Sequence, residues 1–204
     1  MWFRLDVTKD ERWQAVADER LALADALEAV DPEAWDAPSR CAGWTVLDVV
    51  AHLVYLAEGS RLSILVGGAF IDPRPSRSIE KAARRVASSA TPAKLVSRLR
   101  AAAGGRFVVP GLPPEVALGE VLVHRADIAA PAGLARRQAD ERTKAVLEAE
   151  RRLWFAFGVS RNVRNVHFAP VDADWTLGPV GGPVASGYGE DLLLIATGRD
   201  PLPR

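Results

Sequence analysis

Helix start and stop signals follow one another through residues 8–158, and they constrain the fold more than any other feature of this sequence. Thr8 followed by Glu11 is a typical N-terminal capping pair, and Thr45 followed by Asp48 has the same spacing at the start of a second helix. Apolar residues recur at helical spacing after each pair. We therefore predict a mainly α protein built around a helical bundle.

Prolines and glycines predict where the other helices end. No proline interrupts the second helix from Val46 to Val66, so we expect it to run to Gly67-Gly68. A Pro/Ser/Arg-rich loop is expected at 72–78. Thr91 with Pro92 supplies a further N-cap with proline at the first helical position. The remaining predicted helices cover 79–89, 91–103, 115–130 and 140–157.

The pattern changes near residue 160. Residues 163–168 alternate apolar and polar side chains, as a half-buried strand does, and 174–177 could pair with them. A short apolar helix follows over 192–197. We therefore predict two domains, a metal-binding helical bundle with an additional helix over 1–158 and a small α+β, strand-containing C-terminal domain over 159–204.

Composition excludes several classes of protein. The 204 residues carry 26 basic and 26 acidic side chains, and this zero net charge argues against a dedicated nucleic-acid binder. No apolar run approaches the length of a membrane-spanning helix, and the N-terminus lacks the pattern of a secretory signal. The single cysteine, Cys41, rules out an intramolecular disulfide. We therefore expect a cytoplasmic protein.

Three polar side chains on two predicted helices are candidate metal ligands. His52 lies on the flank of an apolar stripe, while Glu120 and His124 are four residues apart and so share one helix face. A carboxylate in an apolar stretch is costly to bury unless a cation or a donor satisfies it. Two histidines and one carboxylate form a three-ligand site suited to catalytic zinc, and equally to non-haem Fe(II).

The same residues also allow simpler interpretations. His52 alone fits a hydrogen-bonded core histidine, and Glu120 with His124 fits a partly exposed pair. Asp48 and Asp127 could each orient a ligand histidine. The presence of these two aspartates is explained equally well if Asp48 caps a helix and Asp127 is solvated. The third histidine, in the predicted strand, and Cys41 are given no role.

Several segments resemble the mycothiol-dependent maleylpyruvate isomerase family. CAGWTVLDVVAHL at residues 41–53 is similar to its N-terminal motif, and GEVLVHRADI at 119–128 is similar to its second metal motif. DADWT at 172–176, GEDLLL at 189–194 and Gly-Arg at 198–199 resemble its C-terminal domain. The family belongs to the DinB-like four-helix bundles, so the resemblance implies that fold.

The resemblance also implies a chemistry. His52, Glu120 and His124 would hold a divalent metal, most often zinc, and mycothiol would be the thiol cosubstrate. In the family's isomerase the thiolate adds to a substrate double bond, permits rotation and leaves. The family carries arginines for acidic groups, and the resemblance implies that role for Arg199. We predict that Arg199 or Arg125 steadies a carboxylate or the thiol's polar groups.

Two classes of function therefore stand as hypotheses. The first is a mycothiol-dependent isomerase or S-transferase acting on a small electrophile such as a maleylpyruvate-like acid. The alternative is a non-catalytic metal-binding module or ligand sensor, because the sequence shows no evident general acid or base beyond the ligands. The expected partners are a small-molecule thiol and an electrophilic substrate.

Overall fold

The computed structural model describes residues 7–59, 75–155 and 158–203. Within these ranges the chain is mainly helical, as predicted, with two short strands near its C-terminal end. None of the helices in these ranges combines the length and apolar character that a membrane crossing requires. The elements are α1 (Lys9–Leu27), α2 (Val46–Glu58), α3 (Pro75–Ser88), α4 (Pro92–Ala101), α5 (Pro114–Ala129), α6 (Glu141–Arg152), β1 (His167–Pro170), β2 (Val184–Gly187) and α7 (Gly189–Ala196), with 3-10 helices at Pro32–Asp36 and Arg161–Asn165.

The predicted N-caps are confirmed. At the start of α2 the Asp48 amide donates to Thr45 Oγ1 at 3.2 Å, and the Thr45 amide donates to Asp48 Oδ2 at 3.0 Å. Thr8 and Glu11 form the same reciprocal pair before α1. Thr91 caps α4, with Pro92 at its first position. These contacts satisfy amide groups that a helix start otherwise leaves unpaired.

The predicted extent of α2 is wrong, because the helix ends at Glu58. Gly59 leaves the helical conformation, and a Cβ there would lie 3.0 Å from the Phe107 ring. Contact with a distant part of the chain therefore accompanies the end of the helix. The rest of the predicted helix, with Gly67-Gly68, lies outside the described residues.

The predicted loop at 72–78 is also partly wrong, since α3 already begins at Pro75. A proline in the first turn of a helix loses no intrahelical hydrogen bond, because that amide has no partner within the helix. The positions 72–74 lie outside the described residues.

The helices of the N-terminal part enclose an apolar core that positions α2 beside α5. Helix α2 packs on α3, α4 and α5, while α1 packs on α4 and α5. The buried face of α2 contributes Val49, Val50 and Leu53 to this core, and α5 contributes Val121 and Ile128. Because α2 and α5 are neighbours, polar side chains on their facing sides can meet.

The C-terminal segment packs on the bundle. Phe168 of β1 and Leu192 of α7 are fully buried in one apolar cluster with Leu118 of α5 and Val146 of α6. Helix α7 contacts both α5 and α6. This packing carries the residues that follow α7 toward α5.

The predicted strand pairing differs from the observed one. Residues 161–165 form a 3-10 helix, and β1 pairs in parallel with β2, starting at His167 opposite Val184. Leu177, from the predicted partner strand, makes an isolated antiparallel bridge to Phe168. Alternation of side chains predicts a strand but carries no information on which segment pairs with it.

Candidate metal centre

Helices α2 and α5 bring the three predicted ligands together. His52 Nε2 lies 3.2 Å from Glu120 Oε2, and His124 Nε2 lies 3.3 Å from the same oxygen. One donor atom from each side chain lies within 4.8 Å of the others. His52 and His124 are buried, whereas the Glu120 side chain is 35% exposed. The cluster is therefore open to solvent on the side of Glu120.

These separations fit ligands that share one ion. Two ligands of a tetrahedral ion with bonds of about 2.0–2.1 Å lie about 3.3–3.4 Å apart. The separations from Glu120 Oε2 to the two histidine nitrogens, 3.2 and 3.3 Å, are close to that value, and the three ligand atoms lie within 4.8 Å of one another. Two imidazole nitrogens and one carboxylate oxygen also form a donor set known from catalytic zinc sites. The residues therefore fit a divalent cation.

Asp127 fixes the orientation of the His124 ring. His124 Nδ1 lies 2.8 Å from Asp127 Oδ2, and the Asp127 side chain is fully buried. When Nδ1 donates to this carboxylate, the lone pair of neutral His124 is on Nε2, which faces Glu120. Two acceptors 3.3 Å apart need a shared proton or a cation between them. A carboxylate behind a histidine in this way is a common feature of metal sites.

Arg199 holds the Asp127 carboxylate from the other side. Its Nε donates to Asp127 Oδ1 at 3.0 Å, and its Nη2 donates to Oδ2 at 2.9 Å. Such a two-point contact neutralises the buried carboxylate and fixes its plane. After the cost of burial, the contacts with His124 and Arg199 lower the pKa of Asp127. Asp127 therefore remains an ionised acceptor for His124.

His52 has a different environment. Its ring meets the rings of Trp44 and His124 edge to face, with centroids 5.3 and 4.8 Å away. Burial lowers the pKa of His52 despite the opposing contact with Glu120, so the ring is neutral at pH 7. Its Nδ1 is buried without a hydrogen-bond partner among the described residues. Among the described residues, His52 therefore makes its side-chain hydrogen bond through Nε2 alone.

The contacts around Glu120 and His124 shift both pKa values. Although burial opposes ionisation, the two histidines hold the pKa of Glu120 well below its usual range. Burial opposes the protonation of His124, but hydrogen bonds to Asp127 and Glu120 raise its pKa to about 9. Without a metal ion, His124 is therefore protonated at pH 7, donates to Asp127 through Nδ1 and forms an ion pair with Glu120 through Nε2.

We expect zinc binding at pH 7 to release about one proton per chain, because His124 must lose its Nε2 proton to become a ligand. Calorimetric titration of ion-free protein in two buffers of different ionisation enthalpy measures this number. The release falls toward zero as the pH rises through about 9, the pKa of His124. The raised pKa also means that this proton stabilises the ion-free fold fully below about pH 6.5 and no longer above about pH 9.

The variant His167→Ala is the control, and it should release the same number of protons as the wild type. A binding heat at pH 7 that does not depend on the buffer would contradict the assignment of His124 as a protonated ligand.

Arg125 lies in a separate ion pair. Its Nη1 pairs with Glu190, and its Nη2 donates to the Ala135 carbonyl oxygen at 2.6 Å. Its side chain is 13% exposed. The contact of Arg125 or Arg199 with a substrate stays a prediction.

The structure also decides between the two candidate aspartates. Asp48 forms the capping pair at the start of α2, whereas Asp127 contacts His124.

The sequence indicates no role for Cys41, because no cysteine or histidine is near it in the sequence. Burial and the charges of Asp127 and Glu120 raise the pKa of the Cys41 thiol, and Arg199 opposes them. The amide of the neighbouring Arg40 donates to the Asp127 carbonyl oxygen at 3.0 Å, so Cys41 follows a residue that contacts the segment behind His124.

Comparisons with known proteins identify the family of the chain. The sequence model of the mycothiol maleylpyruvate isomerase N-terminal domain matches residues 16–143, a segment that includes His52, Glu120 and His124. No curated protein is significantly similar to the chain in sequence.

Two crystal structures are similar in fold. One is the mycothiol-dependent maleylpyruvate isomerase, at 19% identity, and the other is a mutant of it with histidine replaced by alanine, at 20% identity. Each has a TM-score of 0.55, and each match covers 96% of this chain and 91% of the other. Since the family model matches more than half of the sequence, the chain belongs to the family of the mycothiol maleylpyruvate isomerase N-terminal domain.

Proposed function

We propose that this protein is a metal-dependent enzyme that uses mycothiol as cosubstrate to isomerise a small unsaturated acid or to transfer the thiol to it. The observation that carries the proposal is the convergence of His52, Glu120 and His124 within the segment that matches the family. The similar crystal structures are of a mycothiol-dependent maleylpyruvate isomerase, which supports a maleylpyruvate-like acid as the electrophile.

We infer that zinc is the metal held by these three residues. The donor set of two imidazoles and one carboxylate favours it, and Glu120 Oε2 lies 3.2 and 3.3 Å from the two histidine nitrogens. Zinc held there would lower the pKa of a coordinated thiol and so would supply a thiolate nucleophile at neutral pH.

The residues of the chain orient the ligands and hold the charges. Asp127 accepts the Nδ1 proton of His124 and keeps Nε2 directed at Glu120. Arg199 compensates the charge of Asp127 inside the protein. The partly exposed Glu120 marks the side from which a thiol can approach.

We propose Arg199 as the better of the two candidates for binding a substrate carboxylate. Its Nη1 contacts the Thr197 carbonyl oxygen at a long 3.4 Å, while the rest of its guanidinium holds Asp127. Arg125 is the weaker candidate, because its ion pair with Glu190 includes neither a metal ligand nor Asp127, whereas Arg199 contacts Asp127 directly.

Turnover with defined reactants tests the proposal. We expect purified protein to convert maleylpyruvate, or a related cis-unsaturated acid, only when both mycothiol and bound metal are present. Removal of the metal with a chelator should abolish the conversion, and added zinc should restore it. The loss of the cis isomer, followed by proton NMR, measures the reaction directly.

The non-catalytic alternative gives a different result in the same experiment. A metal-binding module or sensor would bind zinc and mycothiol with measurable heat but would convert none of the unsaturated acids or other electrophiles supplied. Full activity after the metal has been removed would contradict the metal-dependent mechanism.

A further inference from the structure

A polar cavity, separate from the candidate metal centre, lies where the C-terminal end of α6 meets the 3-10 helix Arg161–Asn165. Its volume is about 780 Å³, within the range of about 300–1,000 Å³ that is typical of small-molecule sites. It shares no residue with the metal centre, and none of its described lining residues is acidic. The lining consists of four arginines and two asparagines, Arg151, Arg152, Arg161, Asn162, Arg164 and Asn165.

The positive charge of this cavity is largely uncompensated. Of the four guanidinium groups, only Arg152 pairs with a carboxylate of the described chain, that of Glu148 at 2.5 Å. Four positive charges and one negative charge leave a surplus of three. Arg161 and Arg164 have no carboxylate partner in the described ranges. The surplus is notable because the whole chain has no net charge.

Elsewhere in the described structure most arginines are neutralised. Arg98 contacts both oxygens of Glu58 at 2.7–2.8 Å, and Arg142 contacts both Asp18 and Glu19. Like charges that stay close to one another without carboxylates oppose folding, unless an anion from solution offsets them. The cavity therefore differs from most of the described surface, because Arg161 and Arg164 have no carboxylate partner there.

The two sides of the cavity are joined to each other. Arg151 Nη2 donates to the Arg164 carbonyl oxygen at 2.8 Å, which ties the end of α6 to the 3-10 helix. The Nε of Arg151 is buried and has no hydrogen-bond partner within the described residues. Burial, together with the charges of Arg152 and Arg164, lowers the pKa of Arg151 although Glu148 opposes this. Arg152 and Arg164 therefore act on Arg151 electrostatically, and all four arginines line the same cavity.

Stabilisation of the helix end explains only part of this arrangement. Basic side chains in the last turn of α6 interact favourably with its partial negative charge, which accounts for Arg151 and Arg152. Arg161 begins the following 3-10 helix and Arg164 is exposed on it, so neither belongs to α6.

We propose that this cavity binds a small polyanion with about three negative charges, presented by phosphate or carboxylate groups. A guanidinium group binds both kinds of oxyanion in a two-point contact, and the two asparagine amides add neutral donors. The cavity has the volume of a small-molecule site, and the chain has no basic surplus beyond it. Those facts favour a small molecule over a nucleic acid, which needs many phosphate contacts along an extended surface.

Calorimetric titration with two polyanions, fructose 1,6-bisphosphate and tricarballylate, tests the proposal and separates phosphate from carboxylate ligands. Both chelate zinc only weakly, so they should leave a bound metal ion in place. Wild-type protein should bind at least one probe, at constant ionic strength. The double variant Arg161→Gln/Arg164→Gln should bind that probe at least about tenfold more weakly, because it loses two charge-assisted contacts. These side chains are exposed and outside ion pairs, so the variant should keep its far-ultraviolet circular dichroism and its metal content.

Arg85→Gln is the matched control, because Arg85 is an exposed arginine on α3 that lies outside the cavity. It should bind the probe as the wild type does. Equal affinity in the wild type and the double variant would overturn the proposal. Failure of both probes to bind, or binding of a long oligonucleotide alone, would overturn it as well.

Discussion

Alanine at His52 or at His124 is expected to lower the zinc content from about one ion per chain to on the order of a tenth of an ion. Each substitution removes one of three protein ligands, and two ligands hold a divalent ion too weakly to survive purification. Elemental analysis of protein purified without added metal or chelator measures the content. The same variants should lose mycothiol-dependent turnover, since the proposed reaction needs the ion.

The third histidine of the chain provides the matched control. His167 begins β1, apart from the cluster of potential ligands, so His167→Ala should retain full zinc content. If His52→Ala and His124→Ala both kept full metal occupancy while folding normally, the assignment of the ligands would be wrong.

Removal of Asp127 is expected to have the second-largest effect. Asp127→Ala leaves the Arg199 guanidinium and the His124 Nδ1 proton without their buried acceptor. Breaking a buried ion pair from one side typically costs about 3–5 kcal/mol of folding free energy. Urea unfolding of the ion-free proteins measures this loss. Zinc affinity, measured by competition with a chelator, should fall about 10- to 100-fold, because His124 loses the group that orients it.

An exposed ion pair, Arg136 with Asp191, serves for comparison. Arg136 and Asp191 lie 2.8 Å apart with side chains 50% and 41% exposed, so Asp191→Ala should cost less than about 1 kcal/mol. It should also leave the zinc affinity unchanged. A loss for Asp127→Ala no greater than that for Asp191→Ala would contradict the proposed role of the Asp127–Arg199 pair.

Much of the fold could be predicted because helix starts depend on local contacts. Thr8 with Glu11 and Thr45 with Asp48 are three residues apart, and a helical backbone brings such pairs into contact wherever the helix lies. The end of α2 could not be predicted. Gly59 adjoins Phe107, which is remote in the sequence, and an uninterrupted apolar run contains no sign of that contact.

In the candidate site, too, contacts within one helix could be predicted and contacts between helices could not. Glu120 and His124 share a face of α5 because they are four residues apart, and this follows from the helical period alone. His52 could be placed on an inward flank of α2, but not opposite Glu120. The distance between residues 68 apart in sequence depends on how α2 packs on α5.

The mainly α class, the helix starts and the placing of Glu120 and His124 on one face of α5 follow from the sequence alone, because each depends on atoms within about one helical turn. The tertiary structure was needed to show that Asp127 rather than Asp48 contacts a histidine, and that Arg199, 72 residues away in sequence, holds Asp127. It also decided that four arginines from two segments share one cavity. Such contacts depend on the angles and distances at which separate elements pack, and those are set by the complete core rather than by any short stretch of chain.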